Sequence, residues 1–256
     1  NCFGWHFFIS FAVKVPIVPF HIWLPEAHVE APTGGSVLLA GILLKLGTYG
    51  IIRFLLPLFP IGNLFFKPFV YLLCVIAVVY TSITALRQTD IKRVIAYASV
   101  AHINLTLIGL FSFNIIGIEG SILQMLSHGL VSGALFFCVG VLYDRHHSRL
   151  IQYYSGIVQS IPVFISFFLF FTIANIALPG TSSFVGEFLI LLGTFQDNTV
   201  VAFFGGTGII LSGAYSLWLF NRIAYGAFKI QFLSFSKDLS KKEIALFYPL
   251  WLFNRI

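Results

Sequence analysis

Long apolar runs, most of about 20 residues or more, occupy most of this chain and limit what it can fold into. Only 9% of its 256 residues are charged, whereas a soluble domain carries about 25%, so the chain cannot cover a water-facing surface. A soluble enzyme is excluded, and so is a disordered chain, which needs high charge and low hydrophobicity. We therefore predict an all-α polytopic membrane protein with about seven complete spans and a partial one. The predicted spans are 3–23, 34–58, 68–86, 93–113, 116–142, 161–195, 199–224 and, incomplete, 243–256.

Basic residues are concentrated in the loops after the third, fifth and seventh predicted spans, which lie on one side of the membrane by parity. Because loops rich in Lys and Arg stay on the cytoplasmic side, this side is predicted to face the cytoplasm, or the matrix of a mitochondrion. The opposite loops contain only Lys67, with Arg53 nearby. This pattern also explains the net charge of +6 without a nucleic-acid partner. The basic residues of the three loops are Arg87, Lys92, Arg93, Arg145, Arg149, Arg222, Lys229, Lys237, Lys241 and Lys242.

Motifs for metals, redox cofactors and nucleophilic catalysis are missing from the sequence. The acidic stretch Glu26-Ala27-His28-Val29-Glu30 lacks the HExxH spacing, so we interpret it as a solvated or interfacial turn. The cysteines at positions 2, 74 and 138 lie in apolar segments without CxxC spacing, which is typical of small buried hydrophobic residues. The chain has no P-loop, nucleophile elbow, haem-attachment CxxCH or iron–sulfur cysteine set. We expect no redox cofactor and no metal in this chain.

Two of the predicted spans contain helix-breaking residues near their middle. The run 161–195 is too long for one straight span, and Pro179-Gly180 interrupts it. The first span is interrupted in the same way at Lys14-Val15-Pro16 and Pro19. Non-helical backbone at membrane depth is tolerated only where it is buried in protein or lines a water-filled cavity, and transporters place ion sites there. The sequence therefore predicts two discontinuous helices next to a functional site.

Five titratable residues stand out within the predicted spans, where charge costs several kcal/mol and is a functional hypothesis by default. They are Lys14, Lys45, His102, His128 and Glu187. Histidine passes protons near neutral pH, and burial shifts Lys and Glu toward their neutral forms. We predict a proton relay of these side chains on successive helices, with water bridging the gaps.

Structural roles for the same residues remain open. Lys14 could snorkel to the interface, and Glu187 could cap the half-helix that starts near 181–182. His102 and His128 could each be core histidines bonded to neighbouring carbonyls. Snorkelling is less compatible with Lys45, which lies about 16 Å from the polar end of its span.

The two ends of the sequence are unusual. The chain starts with Asn1 rather than Met and starts and stops inside apolar stretches, so we expect a piece of a longer protein. The heptapeptide LWLFNRI occurs at 217–223 and again at 250–256. We interpret the second copy as a duplicated or mis-joined tail.

Four stretches of the sequence carry a family resemblance that covers about residues 3 to 248. They closely resemble the subunit 4 family of respiratory NADH:ubiquinone oxidoreductase (complex I). Their amino-acid sequences are most similar to the mitochondrial form of plants, algae or protists. The stretches are FAVKVPIVPFHIWLPEAHVEAPTGGSVLLAGILLKLGTYGIIRF, RQTDIKRVIAYASVAHINL, MLSHGLVSGALFFCVGVLYDRHHSRL and LPGTSSFVGEF.

The resemblance implies an antiporter-like bundle of two inverted five-helix repeats, of which this chain would hold the seventh to thirteenth helices and the beginning of the fourteenth. Residues 1–60 would be the last two helices of the first repeat, 61–225 the second repeat, and 226–256 a basic loop and the start of a final helix. Lys14 would match the lysine of the broken seventh helix and Lys45 that of the eighth.

The remaining site residues follow from the same resemblance. His102 and His128 would match the histidines of the central axis, and Glu187 the acidic residue of the broken twelfth helix. The first six helices would be missing, with the glutamate that pairs with Lys14. A separate chain could supply them.

The implied function is proton translocation coupled to quinone reduction in the mitochondrial inner membrane, as part of the H⁺-translocating NADH:ubiquinone reductase. NADH, FMN, iron–sulfur clusters and ubiquinone would bind to partner subunits, and the direct partners would be other membrane-arm subunits and lipids. The alternatives are a stand-alone cation/proton antiporter subunit and a non-conducting structural arm subunit.

Overall fold

The computed structural model describes residues 2–229 and 237–255, and within these ranges the regular structure is helical apart from two isolated bridges. We number the helices in chain order. They are α1 (Cys2–Lys14), α2 (Trp23–Glu30), α3 (Thr33–Leu58), α4 (Pro60–Leu86), α5 (Ile91–Leu110), α6 (Ile115–His146), α7 (Pro162–Asn175), α8 (Ser182–Asp197), α9 (Thr199–Ala224) and α10 (Lys241–Asn254).

Five of these helices, α3, α4, α5, α6 and α9, are long and apolar enough to cross a membrane. Helix α3 is continuous but contains two π-helical turns, Leu39–Leu43 and Ile51–Leu55. The prediction of an all-α membrane protein is confirmed, and α9 has the predicted boundaries.

Both predicted discontinuities are present. The first span ends as helix α1 at Lys14, and the chain becomes helical again only at Trp23. The run 161–195 forms two helices, α7 and α8, separated by non-helical residues 176–181. In this break Ala177 and Gly180 have φ angles of 60° and 95°. Glycine suits the second position because it adopts positive φ without a steric penalty.

Two predicted helix boundaries and one predicted turn were wrong. Helix α4 starts at Pro60 rather than at residue 68, because proline is tolerated in the first turn, and Lys67 therefore lies in a helix rather than a loop. Helix α6 continues to His146, which places Arg145 in its last turn. The stretch Glu26–Glu30 is not a solvated turn: it belongs to α2, where the His28 side chain is fully buried.

Backbone hydrogen bonds join the three basic loops on one side of the bundle. Ile91 N donates to Arg149 O at 3.0 Å, and Ile151 N donates to Thr89 O at 2.9 Å. Gly156 N donates to Tyr225 O at 3.1 Å, which connects the loop after α6 to the end of α9. The predicted common side of these loops is confirmed.

Helix α5 is the centre of the bundle. About nine-tenths of its most apolar stretch is buried inside the chain, and α4, α6, α8 and α9 all contact it. The outer helices instead present large apolar side chains on the outside, such as Ile61, Phe65 and Ile210, which are about three-quarters exposed. A soluble protein rarely exposes so much apolar surface, whereas a lipid-facing bundle requires it. The polar residues in the middle of α5, such as His102 and Asn104, are therefore enclosed by protein. Cys74 and Cys138 are buried as predicted, and the side chain of Cys2 lies outside the described part.

Candidate functional site

His102, in the middle of the central helix α5, contacts the carboxylate of Glu187. His102 Nδ1 lies 2.9 Å from Glu187 Oε1, and the two side chains are 5% and 2% exposed. Glu187 lies in the second turn of α8, which begins just after the break at 176–181. With Glu187 as a carboxylate, the ring N–H at Nδ1 donates to it, and the neutral imidazole then accepts at Nε2.

A glutamine that the sequence analysis missed also holds Glu187. Gln124 Nε2 donates to Glu187 Oε1 at 2.9 Å, and Ser127 Oγ donates to Gln124 Oε1 at 3.3 Å. Gln124 lies four residues before His128 on α6, so the two share one face of the helix. This spacing was a usable signal in the sequence.

Glycines allow α6 and α8 to approach closely enough for these contacts. A Cβ on Gly186 would come within 2.8 Å of Gln124 N, and one on Gly120 within 2.7 Å of Ile190 N. Small residues at such positions let two helix backbones meet in a membrane. The residue before Glu187 thus determines how near the carboxylate lies to α6.

Lys45 and His128 continue the arrangement on the other side of His102. Lys45 Nζ lies 3.0 Å from His128 Nδ1, and the rings of His128 and His102 are 5.5 Å apart between centroids. Lys45 Nζ also donates to the carbonyl of Ala40, in the first π-helical turn of α3. The four side chains form a row in the order Lys45, His128, His102, Glu187, which we call the polar row.

The polar row does not follow the order of the helices along the chain. The polar row runs from α3 to α6 to α5 to α8, because α5 is central and α6 packs between it and α3. His128 therefore neighbours Lys45, and His102 neighbours Glu187.

Lys14 is not part of the polar row. It is the last residue of α1, its side chain is exposed, and it has no hydrogen bond or ion pair with any residue in the described part of the chain. Its Cβ lies close to Gly47 of α3, half a turn beyond Lys45. The nearby break is nevertheless tied to the centre, since Asn104 Nδ2 donates to Pro16 O at 3.2 Å.

The Lys45 end of the polar row is open. Lys45 is half-buried and borders a groove of about 470 Å³ between α3 and α6, which Leu46, Tyr49 and Met125 also line. The Glu187 end is closed within the chain. Three buried polar atoms near the row, Glu187 Oε2, His128 Nε2 and Asn104 Oδ1, have no partner among the described residues. Such atoms usually bind water.

Several of the basic residues expected in solvated loops instead hold α2. Lys92 is only 3% exposed, and its Nζ donates to His28 O at 3.1 Å and to Ala31 O at 2.8 Å. Arg149 donates to the carbonyl of Val29, and Arg93 pairs with Glu26 at 3.2 Å. Cations at the carbonyl end of a helix satisfy its last acceptors and its dipole.

Metal-binding geometry is not found in the described part of the chain, where no group of three or more His, Cys, Asp or Glu residues lies close enough to hold an ion. The polar row offers only one carboxylate, which is already bonded to His102 and Gln124. Its chemistry is that of proton acceptors and donors in contact.

Comparisons with known proteins agree with this architecture. Residues 1–212 match the family model described as the transmembrane part of NADH:quinone oxidoreductase and Mrp antiporters. The chain is 63% identical over 243 residues to NADH-ubiquinone oxidoreductase chain 4 of Marchantia polymorpha and 64% identical over 243 residues to that of Triticum aestivum. In both cases 95% of this chain is covered, and it spans about half (49%) of the relative's length. It also superposes on a chain of respiratory complex I from Thermus thermophilus with a TM-score of 0.90 and 31% identity, covering 97% of this chain and 52% of that one.

Proposed function

Since the chain belongs to the family of membrane subunits shared by NADH:quinone oxidoreductases and Mrp antiporters, we propose that it translocates protons as part of the membrane arm of an NADH:ubiquinone oxidoreductase. The protons move along the polar row, and quinone reduction in other subunits drives them. The mitochondrial inner membrane is the proposed location. NADH, FMN, iron–sulfur clusters and ubiquinone are assigned to partner subunits.

The continuity of the polar row supports this proposal most strongly. Four titratable side chains from four helices lie next to one another. Lys45 contacts His128 at 3.0 Å at one end of the row, and His102 contacts Glu187 at 2.9 Å at the other. Ionisable groups inside a membrane bundle are expensive and mark proton or ion pathways. Polar side chains with a purely structural role would not need to be a lysine, two histidines and a glutamate, all of which can bind and release protons.

Each imidazole can pass a proton through its two nitrogens. Lys45 donates a proton to His128 Nδ1, and the imidazolium releases one from Nε2, which has no partner among the described residues. His102 receives a proton at Nε2 and gives the one on Nδ1 to Glu187. The gap between the two rings, 5.5 Å between centroids, is short enough for one bridging water.

Charge repulsion limits the row to one excess proton at a time. Two positive charges a few ångströms apart in a medium of low dielectric repel by several kcal/mol. A proton that arrives on His128 therefore favours release of the proton on His102 toward Glu187. A charge that appears near the open Lys45 end would change which residue of the polar row holds the excess proton. This effect is how quinone chemistry elsewhere would be coupled to proton movement along the row.

The role proposed for Lys14 is beside the polar row rather than in it. Its exposed side chain lies against Gly47, which is two residues from Lys45 on α3 but on a different face of the helix, and it lacks a partner in the described ranges. A carboxylate from a part of the family's subunit that this chain does not cover would pair with it. That part is supplied either by a separate chain or by the same longer protein. Under this proposal residues 1–60 end a first repeat, 61–225 form a second, and 226–256 begin a final helix.

Substitutions in the assembled, membrane-reconstituted complex test the relay. Lys45→Ala and Glu187→Gln are expected to lower the number of protons translocated per NADH oxidised. Asp197→Asn is the matched control, because Asp197 lies on the same helix as Glu187 but pairs with Lys67 outside the polar row. Normal pumping in both row variants, with normal assembly, would refute the relay.

A stand-alone cation/proton antiporter is the second candidate, because the matching family model includes Mrp antiporters. Purification separates the two. Association with subunits that carry flavin and iron–sulfur clusters supports the oxidoreductase, and a small assembly without them supports the antiporter.

A further inference from the structure

Tyr215, which the sequence analysis did not single out, lies on α9 with its hydroxyl against the polar row. Its oxygen is 3.5 Å from His102 Nε2, and the side chain is 1% exposed. His102 Nδ1 is already bonded to Glu187, so Nε2 is the nitrogen left to accept a proton. Tyr215 is the one side-chain donor to that nitrogen in the described part of the chain. Catalytic hydrogen bonds are often long in a resting structure and shorten when the proton moves.

Two small cavities lie on either side of Tyr215. Each has a volume of about 10 Å³, which is about the room that one water needs. The first also touches His102 and Ser212, and the second touches Thr172, Asn175 and Ser216. Most of the surface of both cavities is apolar, but hydroxyl or amide side chains border each one, and Asn175 interacts with the Tyr215 hydroxyl. A cavity of this size with polar partners suits one ordered water, whereas an apolar one stays dry.

The second cavity lies in the basic half of the bundle. Val94 and Ala98 line it within the first two turns of α5, which starts at the basic loops, about 5–10 Å from the helix start. Leu219 lines it from the other side, about one and a half turns before α9 ends at the same loops. His102 is deeper, about 16 Å along α5. The cavity is thus between the polar row and the basic surface.

We propose that Tyr215 is a proton-transferring residue that gives the polar row a side entrance from the basic side of the membrane. A protonated water that reaches the second cavity from the basic side donates its extra proton to the Tyr215 oxygen and is left as neutral water, while the hydroxyl gives its own proton to His102 Nε2. One O–H bond forms and one breaks at the tyrosine, so its charge is unchanged. His102 then has a proton on each nitrogen and passes the one on Nδ1 to Glu187. This inference rests on the proposed relay.

The break between α7 and α8 borders the second cavity. Asn175 is the last residue of α7, and Thr172 lies one turn before it, so the broken end of the helix forms one wall of the second cavity. A helix broken at membrane depth is tolerated where it lines a water-filled space. Ser183 Oγ donates to the carbonyl of Ala174 and closes part of the gap, which leaves the Asn175 side chain to face Tyr215.

The test uses Tyr215→Phe in the assembled complex reconstituted in vesicles, because phenylalanine keeps the shape and removes only the hydroxyl. We expect protons translocated per NADH oxidised to fall, but less than in Glu187→Gln because the route through Lys45 and His128 remains, with assembly unchanged. Tyr154→Phe is the matched control: this buried tyrosine donates its hydroxyl to Ser148 O at 2.7 Å, outside the polar row. It should pump normally.

The outcomes separate the two proposals. Normal pumping in Tyr215→Phe together with impaired pumping in Glu187→Gln overturns the side entrance and leaves the relay intact. Normal pumping in Glu187→Gln overturns the relay and the side entrance with it. If Tyr215→Phe fails to assemble, Thr172→Val decides, since it removes a polar group from the second cavity at nearly constant shape, and normal pumping there overturns the inference.

Discussion

Gly186 offers the sharpest test of how tightly the polar row is built, because the neighbouring residue is Glu187. A Cβ at this position would lie 2.8 Å from both Gln124 N and Gln124 Oε1, and 2.9 Å from Gln124 Cα. Ordinary contacts start near 3.4 Å, so α8 would have to withdraw from α6 by roughly 0.6 Å. Backbone atoms are among those in the way, so rotation of a side chain cannot relieve the clash.

The energetic effect of Gly186→Ala follows from three terms. Overpacking of this kind costs about 1–3 kcal/mol. A withdrawal of roughly 0.6 Å stretches the 2.9 Å bonds from Glu187 to His102 and Gln124 to the limit of a hydrogen bond, and losing one bond to a charged group costs about 1.5–3 kcal/mol. Alanine returns about 1 kcal/mol of helix propensity. The net destabilisation is about 1.5–5 kcal/mol.

Gly206→Ala is the matched control, because Gly206 is also inside a helix but has nothing within 4 Å of an added Cβ. Thermal inactivation of the purified complex and protons translocated per NADH are the two measurements. Gly186→Ala should lower both, and Gly206→Ala should leave pumping unchanged and stability equal or higher. Equal stability and equal pumping in the two variants would contradict the close-packing argument.

Three further predictions concern residues outside the polar row. Lys92→Met should reduce the amount of assembled complex, seen on native gels, because it leaves the carbonyls of His28 and Ala31 unsatisfied at about 1–3 kcal/mol each. Asn198→Ala should lower the inactivation temperature by the equivalent of about 1 kcal/mol, because its side chain caps α9. Burial raises the pKa of Tyr154, in the loop after α6, above its usual range. Its contribution to stability is therefore complete below about pH 10 and declines above it, and Tyr154→Phe should remove that alkaline loss in melting curves.

Local features of the fold could be predicted from the sequence because they depend on neighbours along the chain. Apolar run lengths gave the helices, and proline and glycine gave the breaks after Lys14 and around Pro179. Helix α9 was correct at both ends, since Asn198 is a cap that works within three residues. The boundary errors at Pro60 and His146 arose where proline and charged residues were taken as helix ends, although both are tolerated in terminal turns.

The sequence by itself determined that this is a helical membrane protein and which titratable residues lie within its apolar runs, because hydrocarbon accepts only closed backbone hydrogen bonding and penalises each charge. The tertiary structure decided which of those residues meet. His102 and Glu187 are 85 residues apart, and Lys45 and His128 are 83 apart, so their contacts depend on which helix faces pack together. It also showed that Gln124 and Tyr215 contact the polar row. The spacing of Gln124 from His128 placed the two on one face of a helix, but which residues they meet across the bundle depends on how the helices pack.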